Sequence, residues 1–214
     1  MTTKTLFLSL SLLALSTPAL ADSEWTFDAA MPLAGRFEIA IGGGFSQAGG
    51  DSGIGGDVRD LAGPGGNAEV QVGYRITPNL VSGLYGTFEA FSTGDDFSES
   101  THDAGGASIG LKSDWHFRPA HAVDPWISLG GGFRWLAVDH DNTDTVRLRG
   151  VDLVRLGVGV DYRITPSFAI SPSVTATATR YLQTETAMTD GYEDIDDKQI
   201  SWTFSAGLLG RFNL

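Results

Sequence analysis

Four histidines, two acidic runs and one glycine-rich stretch are the places where this chain could do chemistry. A histidine-based hydrolase needs a nucleophile held within reach of the imidazole, so that base and nucleophile act as a unit. The four read His102-Asp-Ala, His116-Phe-Arg, His121-Ala-Val and His140-Asp-Asn, and none has a serine two residues on. The residues therefore predict no catalytic site. The runs Asp139–Asp144 (DHDNTD) and Asp190–Asp197 (DGYEDIDD) are rich in the oxygen ligands that hard cations prefer. The first lacks the sixth-position glycine and twelfth-position glutamate of a calcium-hand loop, for Asp144 and Gly150 stand there. Both runs read as solvated acidic loops. The stretch GGDSGIGGDVRDLAGPGG (49–66) has neither the lysine nor the helix of a phosphate-binding loop. No metal site and no cofactor is expected.

A different chemistry is carried by charges that recur at every second residue. Arg36, Glu38, Glu69, Arg75, Glu89, Lys112, Asp114, Arg134, Arg155, Asp161, Arg163 and Arg211 each alternate with apolar neighbours. In GRFEIAIGGGF, Phe37, Ile39, Ile41 and Phe45 oppose Arg36 and Glu38. In AEVQVGYRI, Val70, Val72, Tyr74 and Ile76 oppose Glu69, Gln71 and Arg75, and the closing ISWTFSAGLLGRFNL behaves alike. Alternation of period two is the signature of strands with two unlike faces. Such segments are predicted near 35–46, 68–77, 80–92, 105–117, 125–138, 151–165, 168–182 and 198–214. An even number of long strands, apolar on one face and charged on the other, fits an all-β, eight-stranded antiparallel up-and-down transmembrane β-barrel. Lipid meets the apolar face, and the sheet must close because hydrocarbon offers no partner to an unpaired edge.

The pentapeptide YRITP occurs at Tyr74–Pro78 and again at Tyr162–Pro166, 88 residues apart. That interval is about four strand-plus-connection units, so both copies turn at the same rim, half a barrel apart. The stretch RPAHAVD (118–124), midway between them, is a third turn there. The other connections are longer and acidic: 46–66, 92–103, 139–149 and 184–198. Short periplasmic turns and long external loops are the outer-membrane arrangement. Tyr74, Trp115, Phe117, Trp126, Tyr162, Phe168 and Phe212 are expected as an aromatic belt at the short-turn rim. Phe45, Phe88, Phe133, Trp135, Tyr181 and Trp202 are expected as its counterpart at the other rim.

Residues 1–21 read as a cleaved secretory signal peptide, with Lys4, the apolar LFLSLSLLAL and the terminal PALA. Residues 22–34 form an N-terminal periplasmic segment, and 35–214 the barrel. No cysteine is present, so no disulfide supports this exported chain. Losing Lys4 with the leader leaves 13 basic against 26 acidic residues, which excludes a nucleic-acid partner.

The strand plan, the Y-R-I-T-P-N-L corner and the closing strand WTFSAGLLGRFNL together resemble the small eight-stranded outer-membrane proteins of the outer-membrane protein A transmembrane-domain type. That resemblance implies an outer-membrane location and contact with outer-membrane lipid and lipopolysaccharide. It also implies a monomer, and recognition of the last strand by the barrel-assembly machinery. Family members commonly end in Phe, whereas here Phe212 precedes the terminal Leu214 by two residues. Members that deacylate lipid A carry His-x-Ser, which this chain lacks. Two readings of the inward charges stand side by side. They form a salt-bridged plug, or else Arg36, Arg75, Arg163 and Arg211 make a positive constriction that favours anions. Inward glycines and small residues such as Gly73, Gly110, Gly159 and Thr175 either leave lumenal space or let the sheet coil. The expected function is a non-enzymatic barrel with a structural or surface-interaction role through acidic loops, the alternative being a narrow channel or binding barrel for small solutes.

Overall fold

The computed structural model describes residues 34–51, 53, 57–92, 104–140, 144–185, 191–196 and 198–214. The leader, most of the 22–34 segment and the acidic stretch 93–103 with His102 lie outside the described residues. Eight long strands are present: β1 (Arg36–Gly50), β2 (Gly65–Thr77), β3 (Leu80–Phe91), β4 (Ala104–His116), β5 (Val123–His140), β6 (Asp144–Thr165), β7 (Phe168–Glu185) and β9 (Ile200–Asn213). A single helical turn, α1 (Val58–Leu61), lies between β1 and β2, and the two-residue β8 (Glu193–Asp194) pairs onto the end of β7. Every long strand is antiparallel to its neighbours, and β9 bonds both β7 and β1. The sheet is thus closed, and no long strand keeps an open edge.

Alternation decides which side chains meet which solvent. Phe37, Ile39, Ile41 and Phe45 of β1 point outward, and Phe88 on β3 is 69% exposed. A continuous exposed apolar surface of this kind needs lipid against it. Phe37 meets Tyr74 edge-on at 5.3 Å, and Phe168 lies 4.9 Å from Phe212, so aromatic pairs cluster at the short-turn rim. The amide of Leu214 donates to the carbonyl of Phe37 at 2.8 Å and carries the closing seam to the last residue.

Two departures from strict alternation matter. The stretch 139–149, expected as a loop, is mostly strand: β6 begins at Asp144, and Val138 and Leu136 pair with Val146 and Leu148. Leu148 is fully buried, which is why an acidic-looking segment joins the wall. The second departure is a bulge at Leu153: on β7 Asp152 and Val154 pair with the successive residues Thr179 and Ala178, while on β5 Asp152 and Arg155 pair with Gly132 and Gly130. Leu153 has no partner and faces outward, so Asp152 points into the barrel although Arg155 does too. A strict period of two would have placed one of them in lipid.

The long-loop end of the lumen is apolar. Leu136, Val138, Leu148, Phe91 and Tyr181 line it, with Val58 and Ala62 of the α1 turn and Ile195 beyond β8 packed among them. Burying each large side chain there stabilises the fold by about 1.5–3 kcal/mol.

Candidate functional site

The lumen is where strand alternation gathers the charged residues. Nearest the short turns, Arg75 on β2 reaches Glu38 on β1 at 2.6 Å and also donates to the carbonyl of Pro78 at 2.8 Å. The other oxygen of Glu38 accepts from Arg211 on β9 at 2.7 Å. Arg211 lies 3.0 Å from Asp114 on β4 and 3.3 Å from Asp161 on β6. His116 sits 3.7 Å from Asp161 and bonds Asp124 through Nδ1 at 2.9 Å, and Arg163 reaches Asp124 at 3.4 Å. The two arginines of the repeated corners are therefore the ends of one ionic chain that crosses the mouth: Arg75, Glu38, Arg211, Asp161, His116, Asp124, Arg163.

Above this chain stands an aromatic layer. Trp126 on β5 lies flat inside, its indole N–H donating to Ser171 at 2.9 Å, with Arg211 4.4 Å and Lys112 5.5 Å from its ring. The inward glycines are its floor: a Cβ at Gly159 would sit 2.4 Å from the Trp126 ring and 2.8 Å from the Pro172 carbonyl oxygen. Gly110 stands in the same relation to Tyr85, at 2.8 Å. The space that small residues create is thus filled from the neighbouring strand, for Trp126 pairs directly with Gly159 and Tyr85 with Gly110. Cavities remaining between Glu38, Gln71, Lys112 and Asp114, and between Glu69, Ser173, Thr175 and Ser205, measure about 10 Å³ each, roughly the room of one water.

Polar contacts continue upward without a break. Lys112 donates to Gln71 at 2.7 Å, Gln71 to Glu69 at 2.7 Å, and Arg155 to Glu69 at 3.1 Å while lying over Tyr85 at 4.7 Å. Tyr85 donates to Asp152 at 3.3 Å, and Asp152 also accepts from Thr179 at 2.6 Å and Arg134 at 2.9 Å. Arg134 closes the run on Glu89. Among the described residues, six cations (Arg75, Lys112, Arg134, Arg155, Arg163, Arg211) meet seven carboxylates (Glu38, Glu69, Glu89, Asp114, Asp124, Asp152, Asp161) inside the barrel.

The structure brings together every inward charge read from the sequence except Arg36, which forms no ion pair with a described residue. Sequence reasoning missed Asp124, Asp152 and Tyr85. Two placements in the aromatic belts need correction. Trp126 and Tyr181 are buried in the lumen, because they share strand phase with Arg134 and with Thr177 and Thr179. Two oxygen–nitrogen triads, Glu38–Asp114–His116 and His116–Asp124–Asp161, are compact enough to ligate an ion. Arg75, Arg163 and Arg211 already hold those carboxylates, and a metal would face their positive charge, so the donor set does not fit one.

A closed sheet with a lipid-facing exterior and a charged interior defines an integral outer-membrane barrel. The chain belongs to the outer membrane protein β-barrel domain family, which matches residues 7–211. It resembles the crystal structure of Neisserial surface protein A at 16% identity and a TM-score of 0.56, covering 83% of this chain and 97% of that one. Ail, the attachment invasion locus protein of Yersinia pestis, is 18% identical with a TM-score of 0.45, over 84% and 99% of the two chains. OprG of Pseudomonas aeruginosa is 11% identical with a TM-score of 0.48, over 85% and 99%. No curated protein sequence matches it.

Proposed function

We propose that this barrel is non-enzymatic and closed, and that it acts through its external loops and rim rather than its lumen. The observation that carries the reading is the uninterrupted filling of the interior, from the Arg75–Arg163 ionic chain through Trp126 and Tyr85 to the apolar cap around Leu148. A solute path would have to break several buried ion pairs at once, each costly to separate in a low-dielectric interior. Complete pairing of the long strands leaves no sheet edge for a second copy, which supports a monomer. The closing strand, with Phe212 and Leu214 outward at the periplasmic rim, supports recognition by the assembly machinery.

Planar-bilayer recording of the purified protein tests the closed lumen against a narrow channel. Membranes are expected to stay silent. Reproducible small openings that favour anions, and that change in Arg75→Ala or Arg163→Ala, would replace this reading with the channel. The surface role is checked separately by binding to cells, which should fall when residues 93–103 are deleted; unchanged binding would count against it.

A further inference from the structure

At the short-turn rim, the charged side chains that reach solvent are all basic. Among the described residues they are Arg36, where β1 begins, and Arg118 and His121 in the turn between β4 and β5. None of the three forms an ion pair with a described residue. The one carboxylate of that turn, Asp124, is fully buried and already accepts from His116 and from the Arg118 amide. The terminal carboxylate, at Leu214, stands beside Phe37 on the outer face.

The mouth is short of acceptors in two further ways. Arg36 stands directly opposite Arg75 in the β1–β2 register, and like charges facing each other across a strand pair repel. Arg75 and Arg163 each keep a buried Nε–H without an acceptor. The chain enters β1 at this same place. Gly35 takes a φ of 80°, which glycine adopts without strain, and its amide donates to the Arg75 carbonyl at 2.8 Å. The residues ahead of it therefore start from the rim where positive charge is in excess.

Those residues carry the missing charge. In DSEWTFD (22–28), Asp22, Glu24, Thr26 and Asp28 alternate with Ser23, Trp25 and Phe27, and no base occurs from 22 to 34. An extended course puts the three carboxylates on one face. We infer that residues 22–33, a segment outside the described residues, lie across the periplasmic mouth with Asp22, Glu24 and Asp28 against Arg36, Arg118 and His121. Eight strands about 4.8 Å apart and tilted by about 40° close into a mouth roughly 16 Å across. Twelve residues reach about 40 Å at most, more than enough to pass from β1 to the β4–β5 turn. The inference concerns the rim opposite the external loops and holds whether or not the lumen conducts.

The absence of cysteine allows two nitroxide labels to be placed cleanly. Ser23→Cys, off the acidic face, and Ala120→Cys, exposed in the turn, are labelled in the chain without residues 1–21, folded in lipid vesicles. Pulsed dipolar spectroscopy should read one dominant narrow distance. An exposed ion pair shifts an equilibrium by no more than about fivefold, so the three together should favour the docked form about tenfold. Asp22→Asn/Glu24→Gln/Asp28→Asn leaves the barrel untouched and should spread the distance into a broad distribution. Salt at about 1 M, where screening acts within about 3 Å, should do the same. Arg36→Glu/Arg118→Glu should also release the segment, and adding Asp22→Lys/Glu24→Lys/Asp28→Lys to it should restore the narrow distance. A broad distribution in the unaltered chain, or a narrow one that survives both neutralisation and salt, would overturn the inference. Polyglutamate that perturbs the Ala120→Cys label while the segment stays broad would also overturn it, by assigning the basic rim to a separate acidic partner.

Discussion

Replacing Arg211 with methionine removes the central cation of the ionic chain while preserving most of the side chain's volume. The consequences differ among its three partners. Glu38 keeps Arg75 at 2.6 Å, and Asp114 keeps Lys112 at 3.0 Å. Asp161 is left with His116 alone, at 3.7 Å, and is itself buried. Breaking a buried pair from one side costs about 3–5 kcal/mol, because the remaining charge is stranded in a poor solvent. The folded-to-unfolded ratio should therefore fall by a factor of roughly one hundred to a few thousand, at about 1.4 kcal/mol per tenfold. Urea unfolding in lipid vesicles, followed by tryptophan fluorescence and by gel mobility before and after heating, reads this directly. Arg211→Met/Asp161→Asn should recover more than about 1 kcal/mol of the loss, since a neutral amide needs no cation. Arg211→Met/Glu38→Gln should recover less, because that change strands Arg75 as well. A loss below about 1 kcal/mol in Arg211→Met, the level of an exposed ion pair, would refute the reasoning, for it would mean that water solvates the lumen.

Other substitutions probe the packing. Gly159→Ala sets a methyl against the Trp126 ring and the fixed Pro172 carbonyl, so a loss of about 1–3 kcal/mol is expected in the same unfolding assay. Gly66→Ala, whose nearest neighbour would be 3.5 Å away, serves as the tolerated control. Deleting Leu153 removes the unpaired bulge residue and leaves Asp152 and Arg155 both inward, so the protein should still fold and show heat-modifiable migration. Deleting Leu156 from the regular part of β6 reverses the phase of the residues before it and should abolish the folded band.

Alternation made the lumen legible wherever a strand kept its phase. Glu38, Arg75, Lys112, Asp114 and Arg211 follow from counting by twos, and the structure sets all of them in contact. Tyr85 shares phase with Gly83 and Glu89, and Trp126 with Arg134. Their inward course was available to the same counting, but Trp126, near a rim, resembles an interface anchor. Asp124 was hidden differently, since it ends a stretch whose proline and histidine read as turn. Asp152 was hidden by the bulge, and the sequence does mark it: Val151, Leu153, Val154 and Leu156 bracket two charges with a doubled apolar residue. A doubled apolar pair within an alternating run is a physical sign of an extra, lipid-facing residue. Which partner each charge takes was not legible, because partners lie across the lumen and depend on the stagger of all eight strands.

The position of Arg211 on the final strand has a bearing on biogenesis. Its three carboxylate partners belong to β1, β4 and β6, all made earlier in the chain. A sheet still lacking β9 carries Glu38, Asp114 and Asp161 without the cation they share, and its two outer edges are unpaired. Arrival of the last strand neutralises the interior and seals the seam in one event. Completion is thereby coupled electrostatically to closure, since a sheet without its last strand presents two unpaired edges to hydrocarbon.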